Sequence, residues 1–259
     1  VDDNGYLMNR QLHLNYYAVK GLLARIYLYK GDLPKALESA ETVINANKFA
    51  WIQKINLELE QQADLVFSTE HLFALNVTRL NTIYQNGFTA TGVSIFYISK
   101  ASRTEYYDSA AEDFRYLYWY RESDDGNLFL KKYAQRTEAA WPVAYRNKIP
   151  MIKLPEVYFI AAEALKSSNI TRAAELINTV RTHRGLTATP INADNFDAVL
   201  MQEFRKEFIG EGQLFFYYKR KNLARIPKAA NYDIISLKGY KLPIPVSEFS
   251  NAPGRVDNR

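Results

Sequence analysis

The stretch that most restricts the fold is LPEVYFIAAEALKSSNITRAAELINTVRTHRG, residues 154–185. Its apolar residues Val157, Ile160, Ala161, Ala164 and Leu165 recur at the spacing of one helix face. Pro155 suits a first helical turn, where its missing N–H has no partner to lose. Ser168 and Asn169 break the run, and Asn169 or Thr171 can cap a second helix by accepting from a free N–H. Ala173, Ile177 and Val180 form the inward stripe of that helix, and Gly185 stops it. The product is a helical hairpin whose alanines allow close approach, as in tetratricopeptide repeats. Ala164 and Ala173 are expected to be buried where the helices meet.

The unit occurs twice. GLLARIYLYKGDLPKALESAETVI, residues 21–44, aligns without a gap to YFIAAEALKSSNITRAAELINTVR, residues 158–181. Ala24 falls on Ala161, Leu28 on Leu165, Ala36 on Ala173 and Val43 on Val180; the turn at Gly31 and Asp32 falls on Ser168 and Asn169. Stacked repeats normally follow one another directly, so the separation argues for an insertion and against a continuous solenoid.

Between the hairpins, residues 71–77 (HLFALNV) read as a strand. Residues 103–114 read as helical. Residues 115–133 read as a β-hairpin turning at Asp125 and Gly126. Alternation then puts Tyr116, Tyr118 and Tyr120 on one face, with Leu117 and Trp119 on the other. Residues 195–222 read as one long helix. The tail is extended, fixed by Pro243 and Pro245. The expected fold is mainly α: tetratricopeptide-like helical hairpins with an inserted loop-rich region containing short β-strands. It forms a single region over 1–259, with the first hairpin at 11–44, the insertion at 65–150, the second hairpin and long helix at 153–222, and the extended segment at 224–259.

Composition narrows the function classes. The chain has no cysteine, which excludes disulfides, thiolate metal sites and a cysteine nucleophile. His13, His71 and His183 lie in unrelated contexts without metal-ligand spacing. The net charge of +5 comes without a dense basic block. The group Lys219, Arg220, Lys221, Arg225 and Lys228 reads as the cationic end of a helix rather than a nucleic-acid patch. Glu203, Glu207 and Glu211 share a helix face but are interleaved with Arg205 and Lys206. They read as ionic helix packing rather than glycosidase carboxylates. No nucleophile elbow or phosphate-cradling glycine loop is present. The expectation is a non-enzyme with no cofactor, no metal and no nucleic-acid partner.

Several short motifs, in order, resemble the C-terminal half of SusD/RagB family proteins. They include Asp113, Phe114 and Arg115 (D-x-R), and Lys132 with Tyr133 (K-Y). Lys153, Glu156 and Tyr158 with Ala162, Glu163 and Ala164 resemble the family's repeat hairpin. Arg181, Arg184, Gly185, Glu203, Glu207, Glu211 and Gly212 follow, then Leu242, Pro243, Ile244, Pro245 and Asn258. Phe204, Leu214 and Tyr217 depart from it, standing where the family has charged residues. The resemblance implies a SusD-like fold and a surface-exposed lipoprotein of the Bacteroidetes outer membrane. Such a protein captures an oligosaccharide or peptide for a SusC-like TonB-dependent transporter. It also implies an N-terminal half with a signal peptide, a lipid-bearing cysteine and further repeats. The opening VDDNGYLMNR reads as a mature or trimmed start, and membrane association is expected only through an anchor absent from this sequence. The alternative is a tetratricopeptide-like scaffold for a protein partner.

The ligand-binding candidates are aromatic. With 19 Tyr and 14 Phe, the chain is rich in rings that can stack on the C–H faces of sugars. One set is Tyr118, Trp119, Tyr120 and Trp141; the other is Tyr84, Asn86, Phe96 and Tyr97. Trp119 and Trp141 with Tyr118 or Tyr120 are the favoured contacts.

Overall fold

A computed structural model of the chain describes residues 9–92, 96–136, 139, 141–226, 240, 244–245, 247–248 and 254. Two compact units are present, residues 1–211 and 212–259. The first carries α1 (Tyr16–Lys30), α2 (Leu33–Ala46), α3 (Ile55–Glu58), β1 (His71–Asn76), α4 (Leu80–Gly87), β2 (Tyr97–Ile98), α5 (Lys100–Tyr106), α6 (Phe114–Tyr118), β3 (Tyr120–Glu122), β4 (Leu128–Leu130), β5 (Lys148–Lys153), α7 (Leu154–Leu165), α8 (Ile170–Thr182) and α9 (Phe196–Glu207). The second carries α10 (Gln213–Arg220), where the Phe215 ring lies 5.9 Å from Tyr240. The fold is mainly α, with tetratricopeptide-like hairpins and a few short strands.

Both hairpins form as their residues dictate. The Asn15 side chain caps α1 by accepting from Tyr17 N and Ala18 N at 3.0 Å each. Gly31 ends α1 at φ 83°, and Asp32 caps α2. Asn169 caps α8, accepting from Arg172 N at 3.0 Å. Ala24, Ala36, Ala161 and Ala173 are wholly buried, and Ala164 is nearly so.

The two repeats are neighbours in space. α2 packs on α7, so α1, α2, α7 and α8 form one unbroken stack. The expected insertion is present, and its 107 residues between α2 and α7 leave and return without separating the hairpins. The strands at the two ends of that excursion explain how. β1 pairs antiparallel with β5, which runs directly into α7. Gly21 of α1 lies against this ribbon, where a Cβ would come within 2.9 Å of Leu72 and Ile152 side-chain carbons.

Two other expectations change. The segment read as a strand from Tyr116 begins as α6, capped by the Asp113 side chain accepting from Arg115 N at 2.9 Å. Period-two alternation therefore does not apply there. The hairpin proper is β3–β4, and it does turn through Asp125 and Gly126, the latter at φ 78°. The single long helix over 195–222 is broken after Glu207, because Gly210 and Gly212 both adopt φ 74°. The extended segment expected over 224–259, with Pro243 and Asn258, falls almost wholly outside the described residues.

Replacing Ala173 by Leu should overpack the α7–α8 contact and cost about 1–3 kcal/mol. Thermal unfolding checks this, and an unchanged midpoint would mean the helices do not meet at that alanine.

Candidate functional site

The charged residues come together inside the protein, not in a cleft. The Glu207 carboxylate accepts from Arg184 Nε at 2.9 Å and Lys153 Nζ at 2.9 Å, with Arg115 at 3.3 Å. Arg115 also grips Asp113 at 2.7 Å and Glu203 at 2.8 Å. Arg184 reaches on to Glu70 at 2.6 Å. Glu211 accepts from Lys153 at 2.7 Å and from Lys132. All of these side chains are buried. Burial alone would raise the Glu207 carboxyl, but Arg184 and Lys153 outweigh it and hold it well below the carboxylate range. Glu203 is held low in the same way against its own burial, chiefly by Arg115. Acid–base chemistry near neutral pH needs a carboxyl raised into that range, so these two suit structural ion pairing instead. Among the described residues no His, Cys, Asp and Glu group is arranged to hold a metal ion.

The favoured aromatic set is largely interior. Trp119 is 0% exposed, donates Nε1–H to Leu65 O at 2.8 Å and packs on Phe67 at 5.1 Å. Lys132 Nζ sits 4.0 Å above its ring. Trp141 is 4% exposed and donates to Ala63 O at 3.2 Å. Tyr120 is buried beside Tyr107, and Tyr118 is half-buried beside Phe114. Trp119 and Trp141 thus hold the segment around Ala63 and Leu65 and present no face to a ligand. The reason is local: Trp119 follows α6 at the start of the hairpin and turns inward.

The second set does form a surface. Tyr84 is buried within α4, and the Phe88 ring lies 6.4 Å from it at 12°. Phe88 in turn lies 5.8 Å from Phe96, whose N–H donates to Gly87 O at 2.8 Å. Phe96 is 62% exposed and Tyr97 55%, and Asn86 is exposed as well. Tyr97 lies on the edge strand of the sheet β2–β4–β3. It pairs with Phe129, which pairs with Arg121 across the next strand. Directly opposed residues share a sheet face, so Tyr97, Phe129 and Arg121 form a row. Neither Phe129 nor Arg121 carries a motif. Their signal is the hairpin register around Asp125 and Gly126, which sets Arg121 against Phe129. A separate depression of about 550 Å³ on α8 is lined by Thr171, Glu175, Asn178, Thr182, Thr189 and Ile191. It has no ring to stack on, and its Asn178 amide is engaged by Thr189.

The sequence pattern of the SusD family matches residues 81–258. The chain belongs to the SusD family. A comparison with curated proteins finds no match. Among solved structures, a SusD superfamily protein from Bacteroides thetaiotaomicron is 25% identical with a TM-score of 0.72, covering 96% of this chain and 61% of its own. A laminarin-binding SusD-like protein is 21% identical, TM-score 0.65, covering 92% and 62%. The surface glycan-binding protein A of Bacteroides uniformis is 19% identical, TM-score 0.70, covering 99% and 63%. The chain therefore spans about three fifths of the length of these structures.

In this SusD-family chain the motif residues Asp113, Arg115, Lys132, Lys153, Arg184, Glu203, Glu207 and Glu211 all belong to the buried ion cluster. Phe204, a departure from the family pattern, packs at 4.3 Å on Phe208 and 6.1 Å on Phe159.

Glu207→Gln removes one charge from the cluster and leaves cations buried, at a cost of about 3–5 kcal/mol. Glu203 and Glu207 titrate lower folded than unfolded. Their stabilisation is therefore full above the ordinary value of 4.5 and lost as pH falls through their folded values. Acid unfolding of Glu207→Gln should be correspondingly shallower, read by urea titration from pH 7 down to 3.

Asp64 behaves oppositely. Burial pushes its carboxyl up to about 6, though Ser68 donates to it through N–H and hydroxyl at 2.8 Å each. Its folded value exceeds the ordinary 3.8, so its contribution is full below that value and lost as pH rises through 6. Asp64→Asn should gain up to about 3 kcal/mol over wild type between pH 4 and 7.5. A stability difference that does not change with pH would contradict this.

Proposed function

We propose that this protein is a non-catalytic glycan-capture protein of the cell surface, held at the outer membrane as a lipoprotein. It delivers its ligand to a SusC-like TonB-dependent transporter. The ligand stacks on Phe96 and Tyr97, with Asn86 available for hydroxyl groups and Phe88 and Tyr84 supporting the rings from below. The observation that carries this reading is the pair of adjacent, mostly exposed rings mounted on a sheet edge. Rings left in water at a fixed backbone position lower the ordering cost of stacking. The laminarin-binding and glycan-binding relatives with this fold support a carbohydrate over a peptide. No helix of the described residues is long and apolar enough to cross a membrane, which is compatible with attachment by a lipid.

A second reading, a helical scaffold for a protein partner, draws on α1. Tyr16, Val19, Ile26 and Tyr29 of that helix are all exposed.

Calorimetry against a panel of oligosaccharides and peptides separates the two. This chain alone should bind an oligosaccharide weakly, toward the millimolar range, or about −4 kcal/mol. Phe96→Ala and Tyr97→Ala should each lose about 1 kcal/mol of that binding while melting like wild type. Undiminished binding in both variants would remove the aromatic edge as the site. Peptide binding lost on Ile26→Ser would favour the scaffold.

A further inference from the structure

The row Tyr97, Phe129 and Arg121 joins an exposed ring to an exposed cation on one sheet face. Strands lie about 4.8 Å apart, so two strand spacings put Arg121 about 10 Å from Tyr97. That span suits neighbouring residues of one oligosaccharide. Among the described residues Arg121 forms no ion pair. The next residue, Glu122, points to the opposite face and is taken by Lys100 at 2.6 Å. Asp125 is engaged within the turn by Ser123 and Asn127.

Arg121 is not an isolated charge. Lys131 and Arg136 lie close enough to it for Lys131 to be affected by both, and Arg121 and Arg136 both act on the Tyr84 hydroxyl. A single exposed carboxylate, Glu60, answers Lys131 at 3.7 Å and Arg136 at 3.4 Å. Among the described residues, Arg121, Lys131 and Arg136 have between them the one paired carboxylate Glu60, which leaves this side of the aromatic edge positive. A neutral glucan would use the rings and leave the cations idle.

We infer that the ligand of this edge is an acidic glycan, an oligosaccharide carrying uronate carboxylates or sulfate esters. This rests on the glycan reading above. Tyr97 and Phe96 stack on the sugar rings while Arg121 receives the anionic group through its guanidinium fork. Lys131 and Arg136 add a field that draws an anionic chain to the surface.

The probes are an oligogalacturonate, a chondroitin sulfate oligosaccharide, a neutral glucan of the same length and a single-stranded oligonucleotide. The protein is titrated with each as wild type, Arg121→Gln and Tyr97→Ala. An acidic oligosaccharide should bind about tenfold tighter than the neutral one, the preference shrinking at high salt. Arg121→Gln should weaken the acidic ligand roughly three- to fivefold and leave the neutral one unchanged. Tyr97→Ala should weaken both. Whichever acidic ligand leads distinguishes carboxylate from sulfate. Equal binding of acidic and neutral glycans, or no effect of Arg121→Gln, overturns the acidic assignment while leaving glycan capture intact. Oligonucleotide binding as tight as the acidic glycan also overturns it, because the surface would then be a general polyanion patch. If no glycan binds, the glycan reading itself fails; if Tyr97→Ala binds like wild type, the site is not this edge and the acidic assignment falls with it.

Discussion

The Glu207 carboxylate, buried among Arg184, Lys153 and Arg115, is the interaction on which the first unit depends. Its partners come from the end of α8, the end of β5 and the helix α6, while Glu207 itself ends α9. Removing such charges from water is costly, and their attraction repays it only when every partner is in place. The geometry is therefore close to all-or-none. Hydrophobic contacts such as those between α2 and α7 favour burial but tolerate some sliding. The guanidinium forks of Arg115 and Arg184 tolerate little, because each reaches two or more carboxylates in a fixed plane. The stack of hairpins and the long insertion are locked together at this point.

The same cluster supports the aromatic edge at one remove. Lys132 and Lys153 meet Glu211, and Lys132 lies over the Trp119 ring. Trp119 holds Leu65 O and begins the strand pair β3–β4. β4 then carries β2 on its outer side, and β2 carries Tyr97. Each step is a buried ion pair, a cation over a ring, a buried hydrogen bond or a strand pairing. An exposed ring on such a base keeps its position without being covered. Burial lowers the Lys132 amine to about 8, with Glu211 partly restoring it, so the first step remains charged at neutral pH.

Helical hairpins were legible because their information is local. Period, cap and turn residues lie within about thirty positions, and Asn169, Asp32 and Gly31 act as their types require. The ionic role of Glu203, Glu207 and Glu211 was also legible, since interleaved cations on one helix signal pairing. Their actual partners were not, because Glu70 and Arg184 are separated by 114 positions and no periodicity links them. Strand reading failed at Tyr116 because Asp113 offers a helix cap, a local signal stronger than five residues of alternation. The long helix failed at Gly210 and Gly212, whose backbone freedom outweighed the apolar run that follows.

Of the two aromatic sets singled out in the sequence, the buried one shows the physical difference between an anchor and a platform. Sequence weighs a tryptophan by its size and its neighbours in the chain, and by that measure Trp119 and Trp141 lead. In the fold, both indole N–H groups are consumed by carbonyls of one buried segment. An indole committed at its polar edge and roofed by a cation, as Trp119 is by Lys132, has no surface left for a sugar. Phe96 and Tyr97 have the opposite character. Their backbone is fixed by Gly87 and by β4, while their rings stay in water. The cations sort the same way: those beside Trp119 are matched by carboxylates, and among the described residues Arg121 beside the exposed row is not. Whether a ring packs or binds is thus decided by what satisfies its surroundings, which depends on strand pairing and on contacts between residues far apart in the chain.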